Sequence, residues 1–112
     1  MGDALATWFE ARTCTAGKIK NMRGVGNTLS ALTLAELCYK ILLADGVEAI
    51  NAARNRCPND ALERLVEANT LLSGIGFESS GLAAAHAIHN GLTVLPHKPM
   101  LINMAKRWLL AC

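Results

Sequence analysis

Apolar residues recur along the chain at helical spacing, and no segment sustains the alternation of apolar and polar residues that a half-buried strand shows. This pattern predicts a helix over residues 3–12 and a second helix that runs from Asn27 or Thr28, either of which can cap it, to about Ala44. Between them, residues 17–26 contain three glycines and are predicted to form a solvated, flexible loop. The fold class is therefore predicted to be all-α, a helical bundle.

The middle of the chain continues the helical pattern. Gly46 is expected to follow the end of the second helix, because glycine commonly terminates helices. A shorter helix is predicted over residues 47–54, and it stops before Pro58. Asn59 or Asp60 is then expected to begin the next helix.

The last predicted helix carries two of the chain's three histidines. Gly74 is expected to end the helix before it, and residues 74–80 are predicted to form a turn. Ser79 or Ser80 can cap the helix that follows, and Gly91 is expected to end it.

Composition narrows the function classes. Apolar residues make up 52% of the chain but aromatic residues only 4%, and no basic stripe is interleaved with aromatics, so nucleic-acid binding is not expected. No apolar run is long enough to cross a membrane and no signal peptide opens the chain, which leads us to expect a cytoplasmic protein without a membrane partner. The four cysteines are widely separated, so a zinc ribbon or a disulfide framework is not expected.

Three residues are candidates for metal or acid–base chemistry. His86 and His89 lie three positions apart, hence on one face of an Ala-rich helix, and Asp3 lies near the start of the first helix. Each has a simpler interpretation that stays open. The histidines can be hydrogen-bonded core residues, and an acid in the first turn of a helix is favoured by the helix dipole alone.

A family resemblance changes the balance between these interpretations. Several segments resemble, in the same order, the helical domain of bacterial glycerol dehydrogenases of the iron-containing (group III) alcohol dehydrogenase superfamily: residues 2–11, 34–39, 61–64, 67–70, 72–79 and 81–93. The resemblance covers residues 2–96, with departures in the 18–26 loop and at Ser80, where glycine is usual. It implies that the chain corresponds to the first part of the family's C-terminal helical domain.

The resemblance also implies a chemistry. Members of the family oxidise glycerol, or a similar polyol, to dihydroxyacetone with NAD, at a zinc or other divalent metal ion. Asp3 matches the family's aspartate ligand, and His86 matches one of its two histidine ligands. His89 matches no ligand and is expected to pack beside the site or to orient a ligand.

The family's remaining histidine ligand has no counterpart in this sequence. Asn103 stands at its expected position, and residues 97–112 resemble nothing in the family. One permitted coding of residues 103–112, read two bases later, translates as His-Gly-Glu-Lys-Val-Ala-Phe-Gly-Met, which is the missing motif. We therefore expect residues 1–96 to be part of the helical, metal-binding domain and residues 97–112 to be an out-of-frame tail.

The nucleotide-binding domain that precedes this region in the family is also expected to be absent. The chain is consequently expected to bind metal weakly, to lack a site for NAD and to be inactive alone, with self-association through exposed apolar faces. The alternative is a non-catalytic helical interaction module.

Overall fold

The computed structural model describes residues 1–21 and 23–93, and this part of the chain forms five α-helices. They are α1 (Gly2–Ala16), α2 (Leu29–Arg54), α3 (Asp60–Glu67), α4 (Ser73–Ser80) and α5 (Ala84–Thr93), with a π-helical turn, Ala68–Leu72, between α3 and α4. No strand occurs among the described residues, which confirms the all-α prediction. The same residues contain no helix that is long and apolar enough to cross a membrane.

Two predicted helix starts are confirmed. The side-chain oxygen of Thr28 accepts a hydrogen bond from the backbone N–H of Ala31 at 3.1 Å and begins α2. Asn59 does the same for the N–H of Leu62 at 2.9 Å and begins α3. Both caps are made within one helical turn, so the local sequence is sufficient to specify them.

The predicted helix ends at Gly46, Gly74 and Gly91 are wrong. All three glycines lie inside helices, so residues 29–54 form one helix rather than two, and α5 continues past Gly91 to Thr93. Gly46 has a packing role instead, since a Cβ at this position would lie 3.1 Å from Cε of Met1. The glycine that does end a helix is Gly81, which follows α4 with a φ of +88°.

The predicted turn over residues 74–80 is wrong for the same reason, because these residues belong to α4. Ser80 is the last residue of α4 rather than the cap of α5, and its hydroxyl donates to the carbonyl of Gly76. Ser79 also lies within α4, and its carbonyl accepts a hydrogen bond from the Asn21 side chain at 3.0 Å. Neither serine caps the histidine-bearing helix.

The loop between α1 and α2 is largely exposed, as predicted, but it is anchored at Asn21. This side chain is only 8% exposed, and its oxygen accepts hydrogen bonds from the N–H groups of Arg23 at 3.0 Å and Val25 at 3.2 Å. Its amide nitrogen holds the end of α4 through Ser79. The prediction of a solvated loop therefore overlooked one buried polar residue, Asn21.

Small side chains bring α1, α2 and α4 close together. A Cβ on Gly76 would lie 3.2 Å from Cγ2 of Thr7 and 3.5 Å from Ala35, so only glycine fits at this crossing without displacement. Thr7 and Ser73 share a buried hydrogen bond of 2.9 Å between α1 and α4. The largest cluster of buried apolar residues comprises Ala4, Cys38, Leu42, Ala49, Ala61, Leu65, Ala68 and Leu72.

The cysteines of the described residues are unpaired. Cys14 and Cys38 are buried, whereas Cys57 is exposed. Burial raises the pKa of the Cys38 thiol to about 11, and its sulfur lies 3.3 Å from the carbonyl oxygen of Ala68. Cys38 is therefore a protonated core residue at neutral pH.

The helical assignment of Gly74 gives a stability test. Gly74→Ala should raise the free energy of unfolding by about 0.5–1 kcal/mol, because alanine favours the helix and the new Cβ has open space within 4 Å. Gly81→Ala should lower it by about 1–3 kcal/mol, because φ +88° and ψ 171° lie in a region that is essentially restricted to glycine. Urea denaturation of the two variants measures both changes, and a loss of stability in Gly74→Ala would contradict the continuous α4.

Candidate functional site

Helix α1 places two carboxylates on one of its faces. Asp3 and Glu10 are seven residues apart, which is two helical turns, so both side chains point to the same side. Their environments differ sharply, since the side chain of Asp3 is 70% exposed and that of Glu10 only 5%. Glu10 lies in the buried stripe of the helix with Thr7, Ala11 and Cys14.

Glu10 caps the first turn of α5. One of its carboxylate oxygens, Oε1, accepts hydrogen bonds from the backbone N–H groups of Ala83 and His86, both at 3.0 Å. The first N–H groups of a helix have no partner within the helix, and the positive end of the helix dipole attracts an anion. A carboxylate from α1 thus satisfies the start of a helix that lies more than seventy residues later in the sequence.

His86 lies between the two carboxylates of α1. Its Nδ1 is hydrogen-bonded to Oε2 of Glu10, and its Nε2 lies 3.0 Å from Oδ1 of Asp3. The ring of Phe77 stacks on the imidazole at a centroid distance of 6.4 Å and an interplanar angle of 15°. We call these three titratable residues the Asp3–His86–Glu10 cluster.

The cluster has one feature of chemical interest. Each ring nitrogen of His86 faces a carboxylate, but a neutral imidazole carries a single N–H. One of the two contacts would then join a nitrogen lone pair to a carboxylate oxygen. Such a pair is favourable only when a proton or a cation lies with it, so the arrangement can hold either.

The structure brings together the two residues that the sequence proposed as metal ligands, Asp3 and His86. His89 is half-buried and takes part in none of the described contacts of the cluster. His97 and Asn103, like the whole proposed 97–112 segment, lie outside the described residues. Across residues 1–21 and 23–93, no group of three or more His, Cys, Asp or Glu side chains is arranged to hold a metal ion.

Glu10 was missed by the sequence analysis, although a signal for it was present. It occupies a position on the apolar stripe of α1, spaced helically with Ala6, Thr7 and Cys14. A glutamate on a buried stripe needs polar partners, because burying an unpaired charge is costly. The pattern could have shown that a partner exists, but not that the partner is the start of α5.

Cys14, one turn after Glu10, joins the same contact between α1 and α5. Burial raises the pKa of its thiol, and the negative charge of Glu10 raises it further. Its Sγ lies 3.5 Å from the carbonyl oxygen of Leu82, which it can approach as a weak S–H donor. The thiol is therefore a packing residue that helps to hold the segment before α5.

Comparison with known proteins agrees with this picture, although no family model matches the chain. The chain is 62% identical over 95 residues to a glycerol dehydrogenase of Citrobacter freundii, covering 85% of this chain and 26% of that protein. A solved structure titled a probable glycerol dehydrogenase from Sinorhizobium meliloti superposes with a TM-score of 0.80 at 45% identity, over 85% of this chain and 27% of the other. Glycerol dehydrogenase from Schizosaccharomyces pombe gives 0.82 at 40% identity, over 86% and 25%.

These similarities define an oxidoreductase-related helical segment. The chain corresponds to a fragment of the glycerol dehydrogenase family, which confirms the resemblance found in the sequence. It spans about a quarter of the length of the relatives that it matches.

The capping role of Glu10 gives a second stability test. Glu10→Ala removes the acceptor for two N–H groups of α5, and each unsatisfied donor costs about 1–3 kcal/mol when it stays away from water. We expect a lower free energy of unfolding in urea, together with faster hydrogen exchange at the amides of Ala83 and His86.

The matched control is Glu36→Ala on α2. Glu36 is an exposed residue paired with Lys40 one turn later, and its loss should change stability by no more than about 0.5 kcal/mol. Equal effects of the two substitutions would contradict the cap.

Proposed function

We propose that the described helices form the metal-binding side of an NAD-linked dehydrogenase that oxidises glycerol or a similar polyol. Asp3 and His86 would hold zinc or another divalent ion, and the remainder of the catalytic site would come from regions outside the described residues. The family membership of the chain supports the reaction class. The cluster geometry supports the two ligands.

One observation carries the proposal, namely that Nε2 of His86 faces Oδ1 of Asp3 at 3.0 Å. Histidine nitrogen and aspartate oxygen are common zinc ligands at about 2.0–2.2 Å, so two atoms on one ion lie roughly 3 Å apart. A metal-bound histidine usually has its other ring nitrogen hydrogen-bonded to a carboxylate or a carbonyl. Glu10 supplies that partner here.

The chemistry follows from this donor set. Asp3 and His86 would hold the divalent ion, which would supply Lewis acidity toward the hydroxyl of the substrate alcohol, and NAD would supply the hydride acceptor. The protein's own part is orientation. Glu10 and Phe77 hold the imidazole ring, while the side chain of Asp3 is 70% exposed.

We further propose that the 112-residue chain does not catalyse the reaction alone. A catalytic zinc normally has three protein ligands and one open position, and in this proposal the described residues would contribute two, Asp3 and His86. None of the described turns follows a strand, so none forms the strand–turn–helix unit that cradles a dinucleotide phosphate. The chain should therefore bind metal weakly and have no tight site for NAD.

Zinc binding tests the ligand assignment. Isothermal titration of the purified chain should show that Asp3→Asn and His86→Gln each weaken zinc binding about tenfold or more, because each removes a ligand. His89→Gln is the matched control and should bind zinc like the wild type, since His89 stands outside the cluster. A larger effect at His89 than at His86 would contradict the assignment.

Turnover tests the proposed inactivity. The purified chain, supplied with zinc, NAD and glycerol, should form no NADH above the rate of a sample without protein, as followed by absorbance. A measurable rate that requires zinc and disappears in Asp3→Asn would show that the chain is an enzyme on its own.

The identity of the tail and the location of the protein are separate parts of this proposal. We propose that residues 97–112 are read out of frame; the matched length of 95 residues in a chain of 112 supports this. The nucleotide sequence decides, because a single insertion or deletion near codons 96–102 should restore the missing motif.

The unpaired cysteines among the described residues support a cytoplasmic location.

A non-catalytic interaction module is the second candidate function. Leu43, Val47 and Ile50 share one face of α2 and are 64%, 76% and 36% exposed. Such a face favours contact with another protein surface or self-association. Retrieval of one stoichiometric partner from cells, with no loss of that partner in His86→Gln, would favour this function over the dehydrogenase.

A further inference from the structure

The carboxylate of Glu10 makes three hydrogen bonds that all converge on the start of α5. Oε1 accepts from the backbone N–H groups of Ala83 and His86, and Oε2 contacts Nδ1 of the His86 ring. One carboxylate therefore holds both the backbone and the side chain of the same histidine. No other residue in the described part of the chain contacts His86 at two such points.

We infer that Glu10 is a positioning residue that keeps the ring proton of His86 on Nδ1 and so directs the Nε2 lone pair toward Asp3. The inference rests on the proposed function, in which Nε2 binds the metal ion. The inference adds Glu10 to the two proposed ligands and assigns it the task of fixing the ring proton of His86.

The direction of the hydrogen bond follows from the partners of Glu10. Oε1 of Glu10 accepts two backbone N–H bonds at the start of α5, and a carboxylate has no hydrogen to donate. Nδ1 must then be the donor. In the neutral ring this leaves Nε2 without a proton, at 3.0 Å from Oδ1 of Asp3. The side chain of Asp3 is 70% exposed and can turn toward water when no cation lies between the two atoms, whereas that of Glu10 is 5% exposed and is held by the cap.

This proton position is the opposite of the one that free histidine prefers. A histidine side chain free in water prefers the neutral form with the proton on Nε2, in which that nitrogen cannot bind a metal ion. Glu10 is nearly fully buried and is held by the helix cap, so it cannot turn away from Nδ1 without leaving two N–H groups unsatisfied. The cap of α5 and the position of the ring proton of His86 therefore depend on the same side chain, Glu10.

Glu10→Gln separates the two roles. The amide oxygen of glutamine can still accept from the two N–H groups of α5, but its NH₂ group would then face Nδ1 of His86 and donate to it. The ring proton should move to Nε2 while the helix cap remains. The matched control is Glu36→Gln, an exposed change on α2 that does not touch the cluster.

The measurement is nitrogen-15 NMR of the imidazole in the metal-free, full 112-residue chain at mildly alkaline pH, where ring nitrogens with and without a proton are distinguished. We expect His86 to carry its proton on Nδ1 in the wild type and in Glu36→Gln, and on Nε2 in Glu10→Gln. Zinc affinity should fall about 10–100-fold in Glu10→Gln and stay unchanged in Glu36→Gln. Slow hydrogen exchange at the Ala83 amide would show that the cap persists.

The outcomes distinguish this inference from the proposed function. A wild-type ring with its proton on Nε2, or one that keeps both protons at that pH, overturns the inference, and this result does not depend on whether any variant folds. A reversed proton position with unchanged zinc affinity overturns the claim that the position governs metal binding. A wild type that binds no zinc while His86 carries its proton on Nδ1 instead defeats the proposed function.

Discussion

A buried carboxylate that bridges two helices is the interaction on which the site depends. The residues that lead into α5, from Gly81 to Ala84, offer no side-chain acceptor for the first N–H groups of the helix. Isolated helices shorter than about 12–15 residues are marginal in water, and α5 has ten. The oxygen of Glu10 therefore does what a serine or aspartate cap does elsewhere, and it ties α5 to α1 while doing so. His86 reaches Asp3 because of that attachment.

Two carboxylates on the same face of α1 have different tasks because their surroundings differ. Glu10 is enclosed and both of its oxygens contact α5 or the residue before it, so it is a structural acceptor with a fixed orientation. Asp3 lies in the first turn with its side chain 70% exposed, and its Oδ1 lies 3.0 Å from Nε2 of His86. In the proposed site, Glu10 orients a ligand and Asp3 is itself a ligand. It arises from position along a single helix rather than from residue type.

The sequence was informative where structure is decided within one helical turn. Thr28 and Asn59 cap their helices as predicted, because a side chain and an N–H group two or three residues later are enough. The predicted helix ends at Gly46, Gly74 and Gly91 were wrong, and packing against Met1 explains only Gly46, because a Cβ at Gly74 or Gly91 would meet nothing within 4 Å. Asp3 and His86 were found through resemblance to a family motif, and the structure shows them in contact. Glu10 was not found, because its partner lies far along the chain and no local pattern specifies that pairing.

The π-helical turn at Ala68–Leu72 determines how α4 is rotated about its axis relative to α3. A π-helical turn contains about one residue more than an α-helical turn. Because an α-helix has 3.6 residues per turn, the extra residue rotates α4 by about 100° relative to an uninterrupted α-helix. Leu65 accordingly faces the core beside α2, while Gly76 abuts α1 and Phe77 lies over the imidazole. Five residues with no titratable side chain thus set the rotation of α4 that brings Phe77 over the imidazole of His86.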